Sequence, residues 1–453
     1  MKKVSLLTAS LIALGLVSQA SADQVVYLTG STAFRSTVFN ALSAPSSANG
    51  VWDATPTAYL INGSAAAKCN FMLFHGNISG TPTYINCAWS GSDAGMASVA
   101  NVTINNDGAP LFGAPETWLD VTKVTTVALA SAYQGTAAPT SAILESSSRQ
   151  GDLAFADTSV ASALPAIVTA NAANPLVQFP TTGGAPVGVV AFTWAKNNNN
   201  GSGASAAQTA WSDLHNISTF QAQALFGSGS LTADFFTGVA ADNGTSVYLI
   251  GRNKGSGTRA NVLNDSTYGL NTPVVQFNIG GGLTTSPSGA LVLSINGAAH
   301  NPAGTAVTDP GISQDDGYES GGNVANALKV AGSTAQQDPF THASGWIAIG
   351  YLSASDASGI GGGTTGNWLT ENGVAESDGA IESGEYSFWG YENLYGRANV
   401  VGTYAETVGN VIYNSIEAQI VNNGSNPANN DVAININFMN ASKATDFSFP
   451  THN

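Results

Sequence analysis

The sequence predicts an exported α/β protein made of two lobes, and three observations carry the prediction. The chain opens with Lys2-Lys3, runs apolar from Val4 to Val17, and then shows the small residues Ala20-Ser21-Ala22. A charged start, a short apolar centre and an Ala-x-Ala end make a secretory leader over 1–22, with cleavage expected after Ala22. Short β-branched and aromatic runs alternate with stretches of helical spacing, the pattern of α/β layers. The 453 residues suit two domains better than one.

Composition narrows the function classes. Loss of the leader removes two lysines and no acid, which moves the formal net charge from −16 to −18. So acidic a chain does not hold nucleic acid or an anionic membrane through its overall field. Charged residues make up only 9% and hydrophobic ones 43%, so the acidity is not that of a disordered tail. The apolar run of the leader is shorter than the roughly 20 residues that cross a bilayer. No later stretch qualifies, and a periplasmic or secreted chain that does not span the membrane is expected. Cys69 and Cys87 are its two cysteines. In an oxidising compartment they are disulfide candidates, with two buried free thiols as the alternative. Two cysteines make no zinc site and His75 does not complete one, so neither metal nor cofactor is expected.

Along the chain, residues 24–29 read as a strand, and Gly30-Ser31-Thr32 opens a helix over Phe34 to Leu42. Residues 45–115 are rich in Gly, Asn, Ser and Pro and read as a loop-rich insertion that holds both cysteines. Thr126 to Tyr133 and Asp152 to Ala156 are short strand candidates. Pro186 to Ala195 is a continuous apolar run, as expected of a strand buried on both faces. Ser218 begins a helix, and Val247 to Ile250 is a strand that runs into Gly251 and the loop beyond it. Residues 279–289 and 353–366 read as Gly- and Ser-rich surface loops. Trp346 to Leu352 is again strand-like, and Thr403 to Val421 has helical spacing.

Two strand-to-helix junctions stand out, Thr29-Gly30-Ser31-Thr32-Ala33-Phe34 and Gly255-Ser256-Gly257-Thr258. The first N–H groups of a helix lack partners there and, with the helix dipole, favour an anion. Ordinary capped helices are the alternative. The cations tip the balance. Of the eleven Lys and Arg left after the leader, Arg35, Arg252, Lys254 and Arg259 lie in or beside these two loops. Guanidinium suits a tetrahedral oxyanion in bidentate fashion. A nucleotide P-loop is excluded, because Gly257-Thr258 is followed by Arg259 where that motif needs Gly-Lys-Ser/Thr. The five histidines are scattered, no Gly-x-Ser-x-Gly elbow appears, and no enzyme is expected. Asp315-Asp316 and the Glu382/Glu385 pair lie in polar segments and read as solvated or calcium-binding loops.

The order of these loops resembles the phosphate-binding, substrate-capture proteins of ABC transporters, within the type II periplasmic binding fold. Ser31-Thr32-Ala33-Phe34 is similar to that family's first loop, and Gly91-Ser92-Asp93-Ala94-Gly95 to its second helix start. Asp152 to Asp157 resembles the run that ends on a ligand aspartate, and Arg252 to Thr258 closely resembles the Arg-x-x-Gly-Ser-Gly-Thr loop. The resemblance covers most of the mature chain in order, and only the last motif is specific by itself. The first-loop threonine, Thr32, stands one place early with Ala33 in its slot, and Lys254 stands where the family usually carries an acid.

The resemblance implies two α/β lobes with a ligand cleft and two interlobe crossings. Residues 23–175 would form lobe one with its insertion, 176–352 lobe two, and 353–453 the return to lobe one. It implies a phosphate site built from Ser31, Thr32, Ala33, Phe34, Ser92, Asp157, Arg252, Ser256, Gly257 and Thr258. It further implies capture of inorganic phosphate or a similar oxyanion by a monomer, and delivery to an ABC-type permease. A secreted or surface structural protein that keeps the fold without transport is the alternative.

Overall fold

The computed structural model describes residues 23–44, 49–63, 65–106, 109–113, 116–126, 139, 141–198, 206–279, 291–295, 298–300, 306–307, 317–329, 345–360, 366–423, 433–446 and 448–452. The expected leader and Asp315-Asp316 lie outside them.

The first lobe begins with β1 (Gln24–Gly30), α1 (Arg35–Ser43), β2 (Thr57–Ile61), β3 (Phe71–Ile78), β4 (Thr81–Ala88), α2 (Ser92–Ala100) and β5 (Leu153–Ala156). The chain crosses along β6 (Gly188–Lys196). The second lobe holds α3 (Thr219–Ser228), β7 (Ser230–Thr232), β8 (Ser246–Ile250), α4 (Gly257–Asp265), α5 (Gly321–Leu328), β9 (Ile347–Ser353) and β10 (Trp368–Glu371). The return is β11 (Trp389–Gly396), and α6 (Tyr404–Asn423) then packs on α1 and β1. Lobe one is therefore made from both ends of the described chain.

The strands run in the order β7-β8-β9-β6-β11-β5-β1-β4-β3-β2. At the centre of lobe one, β1 lies parallel to both β4 and β5, and in lobe two β8 lies parallel to β9. Such pairs need a crossover rather than a hairpin, which is why a helix stands between their strands. The antiparallel pair β6 and β11 joins the lobes. Trp389 to Glu392 pair with Ala191 to Gly188, whereas Asn393 to Gly396 pair with Ala156 to Leu153. One strand thus serves that junction with its first half and lobe one with its second. The all-apolar reading of 186–195 fits this place, since Val189, Phe192, Trp194 and Ala195 have essentially no exposure.

Local sequence explains several boundaries. Ser218 and Gln221 form a capping box at the start of α3, and Gly229 closes that helix at φ +74°. Ser79 and Gly80 both have positive φ, 51° and 77°, in the turn that joins β3 to β4. That is the twist a two-residue hairpin demands.

Several expectations are corrected. Residues 45–115 are not mainly loop: β2, β3 and β4 extend the lobe-one sheet, and their apolar residues face its core. Thr126 ends a helix, Val121–Thr126, rather than starting a strand, and 127–133 lie outside the described residues. Beyond residue 353, Trp368 and Leu369 of β10 pair with Ala195 and Trp194 of β6. Within the expected surface loop at 353–366, Asp356, Ala357 and Ile360 are buried. The disulfide does not form either; Cys69 and Cys87 are both buried free thiols. The cross-strand partner of Cys87 is Met72, while the Cys69 thiol donates to the Ala65 carbonyl. Burial pushes the Cys69 thiol up to about 11 and that of Cys87 higher still.

Two ion pairs tie the lobes. Lys68 of lobe one meets Asp356 of lobe two at 3.1 Å. In the C-terminal segment, buried Lys443 meets Asp265 of α4 at 2.9 Å, while Asp446 accepts the N–H of Ser159 in lobe one. Among the described residues, no helix is long and apolar enough to cross a membrane, and no group of three or more His, Cys, Asp or Glu could hold a metal.

Candidate functional site

The lobe-one wall of the cleft begins where β1 ends. Gly30 has φ +114°, and a Cβ there would lie 2.0 Å from the Phe155 carbonyl oxygen, so the turn requires glycine. Ser31 N–H donates to that same carbonyl at 2.8 Å, and the Ser31 hydroxyl accepts from Phe34 N–H at 3.2 Å. The Phe34 ring packs on Phe155, and Ala33 packs against the core. Thr32 is left with its hydroxyl toward the second lobe, where it accepts from Arg252 Nη2 at 3.1 Å.

Ser92, the first residue of α2, meets Asp157, which follows β5. The Ser92 hydroxyl donates to Asp157 Oδ1 at 2.7 Å, and the Ser31 hydroxyl reaches Oδ2 at 3.4 Å. Burial pushes the Asp157 carboxyl up to about 6, against the pull of the Ser92 hydrogen bond and the Arg252 charge. Behind it, Asp93 is buried and pushed up to about 7, chiefly by desolvation.

Arg252 enters from lobe two, one residue beyond the glycine that follows β8, and it is buried. Its Nε donates to the Tyr318 carbonyl at 3.1 Å, and Nη1 to the Thr258 hydroxyl at 3.3 Å. Nη2 donates to the Glu319 carbonyl at 2.9 Å as well as to Thr32. All four of these acceptors are neutral, so none of them cancels the guanidinium charge. Burial pulls its pKa down, and the charges of Asp356 and Asp157 raise it. The Ser256 hydroxyl caps α4 by accepting from Arg259 N–H at 3.2 Å. Two of the other cations flagged by sequence do other work. Arg259 donates to the Arg252 carbonyl, and Arg35, also buried, donates to Asn70.

The two walls touch. Asp93 and Ala94 N–H, at the start of α2, donate to the Gly255 carbonyl of lobe two at 3.1 and 3.3 Å. Asn261 of α4 donates to the Asp157 carbonyl at 2.8 Å. Two α/β lobes are joined by two crossing strands, and the loop ends of both converge between them. The described residues have the two-lobed α/β architecture expected from the sequence. No family model and no curated protein sequence matches the chain.

Among solved structures, it is similar to a Clostridium perfringens protein described as a phosphate ABC transporter substrate-binding protein with bound phosphate. The two are 11% identical over 86% of this chain and 93% of the other, with a TM-score of 0.39. An ABC-type phosphate transport receptor from Vibrio cholerae is also 11% identical, over 88% and 98% of the two chains, with a TM-score of 0.37. PstS from Borrelia burgdorferi is 10% identical over 83% and 88%, with a TM-score of 0.28.

Within this fold, the residues expected from sequence do gather: Ser31, Thr32, Ser92, Asp157, Arg252, Ser256, Gly257 and Thr258 lie at one interlobe contact. Ala33 and Phe34 shape the turn and bring no side-chain donor. Sequence reasoning missed the Gly255 carbonyl, Asn261 and Glu392. Glu392 is fully buried, and both its carboxylate oxygens lack a hydrogen-bond partner. An acid inside the apolar run Trp389 to Tyr395 was the available signal.

Proposed function

We propose that the chain captures a tetrahedral oxyanion, inorganic phosphate, between its lobes and delivers it to an ABC-type permease. One observation carries this reading: Arg252 is buried yet bonded only to neutral oxygens, two of them hydroxyls from opposite lobes, beside Asp157. Two threonine hydroxyls are weak acceptors beside an anionic oxygen, so a ligand carrying charge would displace them with a gain. Asp157 accepts a hydrogen bond from a proton that the ligand still carries, which favours a protonated oxyanion over sulfate. Entry requires the lobes to part, because the Gly255 carbonyl now sits on the first N–H groups of α2. Hinge motion about β6 and β11 supplies that opening. The site residues are those named above, and the mature protein is exported by the leader and works as a monomer.

That same Gly255 contact favours a second reading, a secreted or surface structural protein whose cleft is closed upon itself. Calorimetric titration of the mature chain with phosphate, arsenate, sulfate and molybdate separates them. One-to-one binding of phosphate supports capture, and silence toward all four anions supports the structural reading.

A further inference from the structure

Glu392 lies on β11, and the antiparallel register there identifies its neighbour. Asn393 pairs with Ala156 at the last step of that ladder, so Glu392 and Asp157 are the residues next beyond it on the two segments, and the Asp157 charge acts on the Glu392 carboxyl. The backbone ladder changes partner at this step, since Glu392 pairs with Gly188 of β6, which brings no side chain.

Two ionised carboxylates that interact out of water repel strongly, and one of the pair keeps a proton. The surroundings decide which. Asp157 accepts from Ser92 and Ser31 and faces the Arg252 charge. Glu392 has the Ser31 hydroxyl nearby, the Asp157 charge against it, and no hydrogen-bond partner on either oxygen. The other titratable groups that act on the pair are Tyr395 on β11, Asp93 on α2 and Asp446 of the C-terminal segment. Only Arg252 among these is cationic, and it faces Asp157. Burial and Asp157 together push the Glu392 carboxyl well above the ordinary range.

We propose that Glu392 is a specificity-determining residue of the cleft, a neutral acid that keeps its proton beside Asp157 and lets that carboxylate lie against an oxyanion. The proposal rests on the capture reading of the same site. When Glu392 loses its proton, two carboxylates face the ligand and binding weakens. A glutamine at this position keeps a donor at every pH.

The test titrates the mature chain and its Glu392→Gln variant with inorganic phosphate over a pH series from weakly acidic to alkaline, so that the proton on Glu392 is present at one end and lost at the other. Phosphate changes its own protonation equally for both proteins, so the ratio of their Kd values isolates residue 392. That ratio should lie near one at the acidic end. At the alkaline end the wild type should bind at least about tenfold more weakly than the variant. Phosphate bound by both proteins with a ratio independent of pH overturns the proposal.

Thermal unfolding without ligand is the second readout. The Tm of the variant should gain on that of the wild type as pH rises, because glutamine has no proton to lose. A Tm gap flat in pH overturns the proton held on Glu392 itself. Phosphate silence in both proteins overturns the capture reading instead, and the ligand role of Glu392 with it.

Discussion

Gly257 points the side chain it lacks at Asp157: a Cβ there would lie 1.5 Å from Asp157 Oδ1 and 2.7 Å from the Ser92 Cβ. The start of α4 can approach lobe one only because this residue is glycine. In Gly257→Ala the methyl group meets a buried, hydrogen-bonded carboxylate that has no room to retreat, so the lobes should stay apart. Phosphate affinity should fall by about tenfold or more, with a larger radius of gyration by small-angle scattering. An alanine variant that closes and binds like the wild type would show that the cleft does not close on this contact.

Arg252 should carry the largest single share of anion binding. Truncating one partner of a buried charged contact costs roughly 2–5 kcal/mol. Arg252→Ala should therefore weaken phosphate binding at least about thirtyfold, since each 1.4 kcal/mol is tenfold. Circular dichroism would confirm that the variant is folded, and unchanged affinity in a folded variant would refute the site.

Selectivity should reside in Asp157. A carboxylate facing an anion is repulsive unless the ligand brings a proton, as phosphate does near neutral pH and sulfate does not. A buried acceptor facing another acceptor costs about 1–3 kcal/mol, and more when both are charged. The wild type should prefer phosphate over sulfate by about tenfold or more, and Asp157→Asn should narrow that gap mainly by admitting sulfate. Equal affinities in the wild type would remove Asp157 as the selector.

Stability should fall as pH rises through neutrality. Burial pushes the carboxyl of Asp157 up to about 6, those of Asp93, Glu116 and Glu376 to about 7, and that of Glu371 to about 8. Raised carboxyls bind more protons in the folded state than in the unfolded one. Their contribution is complete below the unfolded pKa and is lost as pH climbs through the folded value. The window therefore runs from about pH 4 to about pH 8. Tm should be higher near pH 5 than near pH 8, and Glu371→Gln should stabilise by about 1 kcal/mol or more at the upper end. A Tm that rises across this window would show that these groups ionise freely.

What the sequence determined alone is local. The β-branched run before Gly30, the apolar run at 186–195, the cap at Ser218 and the Gly255 to Thr258 loop are each written in neighbouring residues. A strand period, a cap or a left-handed turn needs no distant partner. The tertiary structure decided which segments meet. Polar and glycine residues between 45 and 115 hid three strands of the main sheet, because the pairing of β2 to β4 against β1 supplies the burial that their composition does not advertise. Cys87 stayed a thiol because its register faces Met72. The Gly255 carbonyl on α2 and Glu392 near Asp157 join positions far apart in the chain. Such contacts are set by sheet order and register, and register leaves no trace in the spacing of either segment by itself.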